Sequence, residues 1–450
     1  MKDVGSPTVS GTRGGDLLPE NTYHQAPDDL VGAPPGCPVH HGFSPLNDDY
    51  LEDPYPVANE MRELHHIFYA EPIGHVVVTR MEDIEHVFTH PDTFASTNVQ
   101  DPVFPLAPEA AEILSADDFD PVAVMSNRPE PDHGRIRVHT RQGFGNRRLR
   151  QLEDYMRSRA SELIDTMLAE GGPADFVPAF AFPLPAEIMF RFIGFPPEDD
   201  AMVKAWCVNR RSFSWGQPTA EEQVEIARGM LDYWRYCREF VAGRHAEPAD
   251  DFTSELLAAH DADPDPSDGT GISYREVESV VYGISFAGHD PVTALLCNTL
   301  LCLLPRRDQW NELLADRSLI SNAIEEVLRY ESAQISWRRI TTEDTTLGGV
   351  DLPAGTRLYL NFASAHHQPD LFDDPETFDL HRANANKHIA FGKGIHFCLG
   401  QGLAKMEARI TLDLLLDKVP SLRLAPHQHL EYFPNITFRG PNSLVVEWDG

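Results

Sequence analysis

The sequence is short of positive charge: Lys and Arg number 37 against 70 Asp and Glu, a formal net charge of −33. So acidic a chain repels phosphate backbones and anionic lipid, which argues against nucleic acid or a membrane surface as partner. Cysteine is scarce too: six (37, 207, 237, 297, 302 and 398) in 450 residues are too few for a disulfide framework. The opening residues MKDVGSPTVSGTRGGDLLPE hold no apolar signal-peptide core, so a reducing cytoplasm is the expected setting. The longest apolar region, Val280 to Leu304, is interrupted by His289, Asp290 and Pro291, which would be costly in hydrocarbon and mark a core helix.

Strand signals are also few. HIFYAEPIGHVVVT, TTLGGVDLPAGTRLYL and NSLVVEW read as short strands and hairpins with Gly and Pro at their turns. Helical periodicity dominates instead, in GNRRLRQLEDYMRSRASELIDTML, AEEQVEIARGMLDYWRYCREFVAGR, SYREVESVVYGISFAGHDPVTALLCNTLLCLL and LAKMEARITLDLLLDKV. Residues 1–45, rich in Gly, Pro, Ser and Asp, predict a flexible N-terminal arm; residues 46–450 predict a single domain, mainly α with small β-sheets. Ser273 and Glu276 form a capping-box pattern that starts a helix, and Pro305 suggests its end. A single helix over that span would be about 46 Å long and central.

Near the C-terminus stands FGKGIHFCLG, Phe391 to Gly400, immediately before a helical run. A cysteine at a helix start is favoured as a thiolate by the helix dipole and the unpaired N–H groups. Gly392, Gly394 and Gly400 let backbone turn tightly around the sulfur and approach a flat object.

This segment resembles the haem-binding signature of the cytochrome P-450 family, the haem-thiolate monooxygenases. The resemblance implies haem b (iron protoporphyrin IX) as cofactor, O2 as co-substrate and Cys398 as axial ligand, with thiolate electron donation toward O–O cleavage. It also implies Phe391 packed on the proximal side and His396 bonded to a haem propionate. Glu326 and Arg329 in AIEEVLRY match the family's ExxR pair, and Arg382 in PETFDLHR matches the arginine that closes a buried Glu–Arg–Arg cluster. His133 and Arg137 in PDHGRIRVHTRQGF, with Arg339 in WRRITTEDTTLGG, match propionate-binding positions.

In AGHDPVT, Ala287 and Gly288 match the groove that admits O2, and Asp290 matches the acid of the family's acid–alcohol pair. Pro291 stands where threonine is usual. Proline has no hydroxyl and crowds the carbonyl of residue 287. Three consequences stay open: water or a substrate hydroxyl relays protons; peroxide replaces O2 and electrons; or the reaction is a coupling or desaturation that needs less controlled protonation.

By the same resemblance the substrate pocket includes Gly283, Phe286, Ala287, Ile335, Trp337, Ile436 and the loop from about Thr97 to Arg128. Arg210, Arg211 and Arg338 would either meet a substrate carboxylate or cover the surface. Arg135, Arg137, Arg141, Arg147, Arg148 and Arg150, with Lys387, Lys393 and Lys405, form an expected basic patch for an acidic ferredoxin. No flavin or nicotinamide fingerprint occurs, so electrons are expected from ferredoxin and its reductase. The expected activity is oxidation of a small specialised metabolite or modified peptide; a peroxygenase and a non-catalytic haem ligand-binding protein are the alternatives.

Overall fold

The structure is a computed structural model that describes residues 32–116 and 118–449. Helices carry most of the chain, in keeping with the sequence. The site is framed by α1 (Asp132–Gly143), α2 (Asp200–Trp215), α3 (Tyr274–Ala287), α4 (Asp290–Leu303), α5 (Ile320–Tyr330) and α6 (Gln401–Lys418). Six short strands form the main sheet: β1 (Val39–His40), β2 (Ile67–Ala70), β3 (His75–Val78), β4 (Phe94–Ala95), β5 (Ser336–Thr341) and β6 (Arg357–Asn361). Their order is β1-β2-β3-β6-β5-β4. β3 runs parallel to β6 with Val76 opposite Leu358, and β6 runs antiparallel to β5 with Asn361 opposite Ser336. The GG predicted as a turn closes the hairpin Thr345–Leu347/Val350–Leu352, with both glycines at positive φ.

The expected arm is shorter than 45 residues where the structure can be read. Val39 and His40 pair with Tyr69 and Ala70, and Phe43 is 5% exposed within the main core. An added strand edge and a buried ring hold this segment down. Residues 1–31 of the expected arm lie outside the described residues.

The capping box forms as the sequence predicts: Ser273 Oγ accepts from the Glu276 N–H, and the Glu276 carboxylate accepts from the Ser273 N–H. The single central helix does not. It is two helices, α3 and α4, with Gly288 and His289 between them. Pro291 explains the break, because it brings no N–H to the carbonyl of Ala287 and its ring crowds that position. Gly288 packs against the Met189 side chain, which would have to move to admit a Cβ there. Among the described residues this pair is the one stretch long and apolar enough to cross a membrane, and most of it is packed inside the fold.

Candidate functional site

Cys398 lies three residues before α6, at the end of a loop closed by its own N–H, which donates to the Phe391 carbonyl at 3.0 Å. Gly394 has φ +72°, and a Cβ there would strike the Phe88 carbonyl, so glycine lets this loop lie against the neighbouring chain. The sulfur is open to a cavity of about 1900 Å³, mouth included, yet deep in the fold. Burial pushes its thiol pKa up, against the Gly400 N–H and the charge of Arg137 that pull it down. Burial and the helix start thus act on this thiol in opposite directions. A bound metal ion would deprotonate the thiol outright.

The cavity wall gathers Cys398, Phe391, Gly392, Gly400, His396, Arg137 and Arg339; Gly394 is outside it. Arg339 is 2% exposed; its Nη1 donates to the Arg338 carbonyl at 2.8 Å and its guanidinium lies over the Phe88 ring. Burial draws its pKa down to about 9. His133 is fully buried: Nδ1 meets Glu130 Oε1 at 3.1 Å, while Nε2 has no partner among the described residues. Its ring lies 4.1 Å from that of His396. His396 is itself engaged, Nδ1 with the Met125 carbonyl and Nε2 with Ser96 Oγ, both at 3.1 Å, and burial lowers it to about 3. Arg137 donates from Nη2 to the Phe397 carbonyl at 2.5 Å.

Buried Arg339, half-buried Arg137 and the orphaned His133 nitrogen are donors suited to an anionic ligand near one thiol, and haem, the group the resemblance implies, brings an iron and two carboxylates. Haem fits these residues: Cys398 would hold the iron, and His133, Arg137 and Arg339 would hold the propionates. An anion beside His133 Nε2 would raise that imidazole's proton affinity and let it donate from both nitrogens.

Glu326, Arg329 and Arg382 come together as expected. Arg329 Nη2 and Arg382 Nε donate to Glu326 Oε1 at 2.7 and 3.0 Å, and Arg329 Nε donates to Oε2 at 2.8 Å. All three are buried.

Gly283, Phe286, Ala287, Gly288, Pro291 and Trp337 line the cavity, but Asp290 does not. The carboxylate expected near dioxygen is buried in an ion pair with Arg211, whose Nη1 lies 3.1 Å from Oδ2 and 3.2 Å from Oδ1. The helix break sets this direction, since residues 287 and 290 belong to different helices. Ile335 and Ile436 also fall outside the wall, though both are buried. The Ile335 N–H donates to the Thr437 carbonyl before β5 begins, and Asn435 Oδ1 accepts from the N–H groups of Thr437 and Phe438. That turn hands the cavity position to Phe438, which sequence alternation does not reveal.

Trp215 and Met189 are further lining residues that carried no sequence signal sufficient to place them there, and Arg210, one of the three arginines expected either to meet a substrate carboxylate or to cover the surface, also lines the wall. Glu407 did carry one, as a carboxylate on the apolar stripe Leu403, Ala404, Ala408, Leu415 of α6. It is 1% exposed, neither oxygen is hydrogen-bonded among the described residues, and burial drives its pKa far up.

Arg338 neither meets the cavity nor covers the surface: buried, it donates to the carbonyls of Val99, Asp101 and Ser214. The expected basic patch is smaller than drawn. Arg135 is buried against Glu276 and Arg148 against Glu255, whereas Arg141, Arg147 and Arg150 are exposed.

A helical fold with one thiol and two arginines on a common cavity wall fits a haem-thiolate class. The sequence profile described as Cytochrome P450 matches residues 225–420. The chain is 31% identical over 416 residues to cytochrome P450 monooxygenase PikC of Streptomyces venezuelae, covering 90% of this chain and 93% of that one. It is 31% identical to nocardicin C N-oxygenase of Nocardia uniformis subsp. tsuyamanensis, covering 93% and 97%. The solved structure of cytochrome P450 CREJ in complex with (4-ethylphenyl) dihydrogen phosphate superposes with a TM-score of 0.86 at 34% identity, over 91% of this chain and 100% of that one. The chain belongs to the cytochrome P450 family and is a P450 monooxygenase.

Proposed function

We propose that this monooxygenase uses O2 and electrons from a ferredoxin and its reductase to hydroxylate, couple or desaturate a small specialised metabolite. The observation that carries the reading is the Cys398 sulfur opening on a cavity walled by Arg137 and Arg339, with the unpartnered Nε2 of His133 behind it. Relatives with names such as mycinamicin IV hydroxylase/epoxidase and cyclomarin C epoxidase support a specialised metabolite as substrate. Haem held by Cys398 supplies the O2-activating chemistry.

The chain's own residues do the rest. His133, Arg137 and Arg339 neutralise the propionates and fix the plane of the ring. Ala287 and Gly288 leave room beside the break between α3 and α4. Asp290 delivers protons only when Arg211 lets go, and Pro291 adds no hydroxyl to the path. Electrons arrive where Val138, Arg141 and Phe397 are exposed beside the cysteine loop, a mixed apolar and basic face suited to an acidic donor.

Turnover with ferredoxin, reductase and NAD(P)H tests the reading, and the reduced, CO-bound protein is expected to show the red-shifted Soret band of thiolate ligation. Raising salt is expected to slow reduction by the ferredoxin. Pro291→Thr is expected to change the ratio of electrons consumed to product formed; an unchanged ratio would strip the proline of mechanistic meaning. The missing hydroxyl favours one second reading, a peroxide-driven reaction, which turnover with hydrogen peroxide and no ferredoxin would establish.

A further inference from the structure

Two tryptophans from distant parts of the chain share the cavity wall. Trp215 ends α2 and Trp337 is the second residue of β5; their ring centroids lie 6.1 Å apart, with the planes tilted by 31°. Trp215 also stacks on Phe286 at 5.7 Å and meets Phe438 edge-on at 5.1 Å, and both of those rings line the cavity. A helix end and a strand share no backbone ladder, so side chains must fix the distance between them.

The residues beside the two tryptophans supply the link. Side chains alternate along a strand, so Arg338 points away from the cavity that Trp337 and Arg339 line. Its Nη2 donates to the carbonyls of Val99 at 2.9 Å, Asp101 at 2.7 Å and Ser214 at 3.3 Å. Ser214 immediately precedes Trp215, and its carbonyl belongs to the last turn of α2, where no further helical N–H arrives. A cation there also meets the negative end of the helix dipole. Val99 and Asp101 flank Gln100, another lining residue. Trp215 reinforces the same junction: its indole N–H donates to the Val99 carbonyl at 3.2 Å, and its own carbonyl accepts from the Ile436 N–H at 2.9 Å, in the turn that presents Phe438. One guanidinium thus ties β5 to the loop around Gln100 and to the end of α2. Burial lowers Arg338 to about 10, so it remains a cation at neutral pH.

We propose that Arg338 is a positioning residue for substrate size: by holding the Val99, Asp101 and Ser214 carbonyls it fixes the spacing of Trp215 and Trp337, and that fixed wall sets how bulky a molecule the cavity admits. Hydrogen bonds from a charged donor are stronger than neutral ones, and buried carbonyls are costly to leave without a donor. Without the guanidinium, the end of α2 and the loop around Gln100 lose their tie to β5, and the wall between the two tryptophans can part. The role rests on the oxidase reading above and deepens it by naming what restricts the substrate.

The test uses the haem-loaded protein and two azoles that coordinate haem iron, imidazole and the bulkier 4-phenylimidazole, mixed by stopped flow and followed in the Soret band. Arg338→Met is expected to raise the association rate constant of 4-phenylimidazole about 10-fold, while that of imidazole, small enough to pass the wild-type wall, changes less than about twofold. Arg338→Lys keeps the charge without the planar fork and is expected to fall between; it decides the question where the methionine variant does not retain haem. A ratio of the two rate constants that stays at the wild-type value, or moves against the bulkier azole, overturns the proposal and makes Arg338 a scaffold residue, whatever happens to the unfolding midpoint. A wild-type CO complex without the thiolate band would overturn the oxidase reading instead, while the azole ratio would still decide the role of Arg338.

Discussion

At Glu326, two buried arginines share one carboxylate, and their remaining N–H groups reach the carbonyls of His366, Asp373, Asp374, Pro375 and Thr377. On the cavity wall, Arg339 is equally buried, yet its partners are a carbonyl and the face of Phe88. The first cluster is complete within the chain. The second is complete only when something anionic arrives. Buried charge is tolerated when paired and costly when not, so the first region stabilises the fold and the second stores affinity for a ligand.

Breaking the complete cluster is expected to give the largest effect. Glu326→Gln leaves two guanidinium groups facing a neutral amide and is expected to cost about 3–5 kcal/mol in denaturant unfolding, with or without haem. A loss below about 1 kcal/mol would show that the carbonyls suffice.

Arg339→Leu sharpens the contrast through opposite signs. The haem-free protein should gain about 1–2 kcal/mol, because an uncompensated charge leaves the interior, while haem affinity should fall about 10- to 100-fold. Parallel losses in both states would make Arg339 a scaffold residue like Arg329. His133→Phe is the milder version: unfolding of the haem-free protein should barely change, and haem transfer to apomyoglobin should run about tenfold faster.

At neutral pH the smallest effect comes from His75, a buried imidazole that stays neutral there. It is 1% exposed, and burial lowers its pKa to about 3. The unfolded chain, with an ordinary histidine near 6.5, binds the extra proton between those values, so stability falls as pH drops from about 6.5 toward 3. His75→Gln should flatten that acid limb by about 1 kcal/mol per pH unit, measured by urea unfolding across the range.

The legible features were local ones. FGKGIHFCLG named the thiol loop because a tight turn with glycines and one cysteine is written in ten consecutive residues. The capping box and the GG hairpin turn were readable because each involves backbone within four residues. Directions across the fold were not. Ile335 and Ile436 are buried off the wall and Phe438 lines it, because the Asn435 side chain turns the chain through Thr437 and Phe438. Arg135 and Arg148 looked like surface charge until α1 met Glu276 and the next helix met Glu255.

By itself the sequence determined the helical class, the cysteine with its glycine-rich loop and the position of Pro291, because each depends on neighbours in the chain or on the chemistry of a single side chain; the haem donors were named only through the resemblance to a family. Only the tertiary structure decided that α3 and α4 part at Gly288, that Asp290 is held by Arg211, and that Arg210 faces the cavity. Those outcomes depend on which distant side chain occupies the same space, and packing between elements far apart in sequence leaves no periodic trace along the chain.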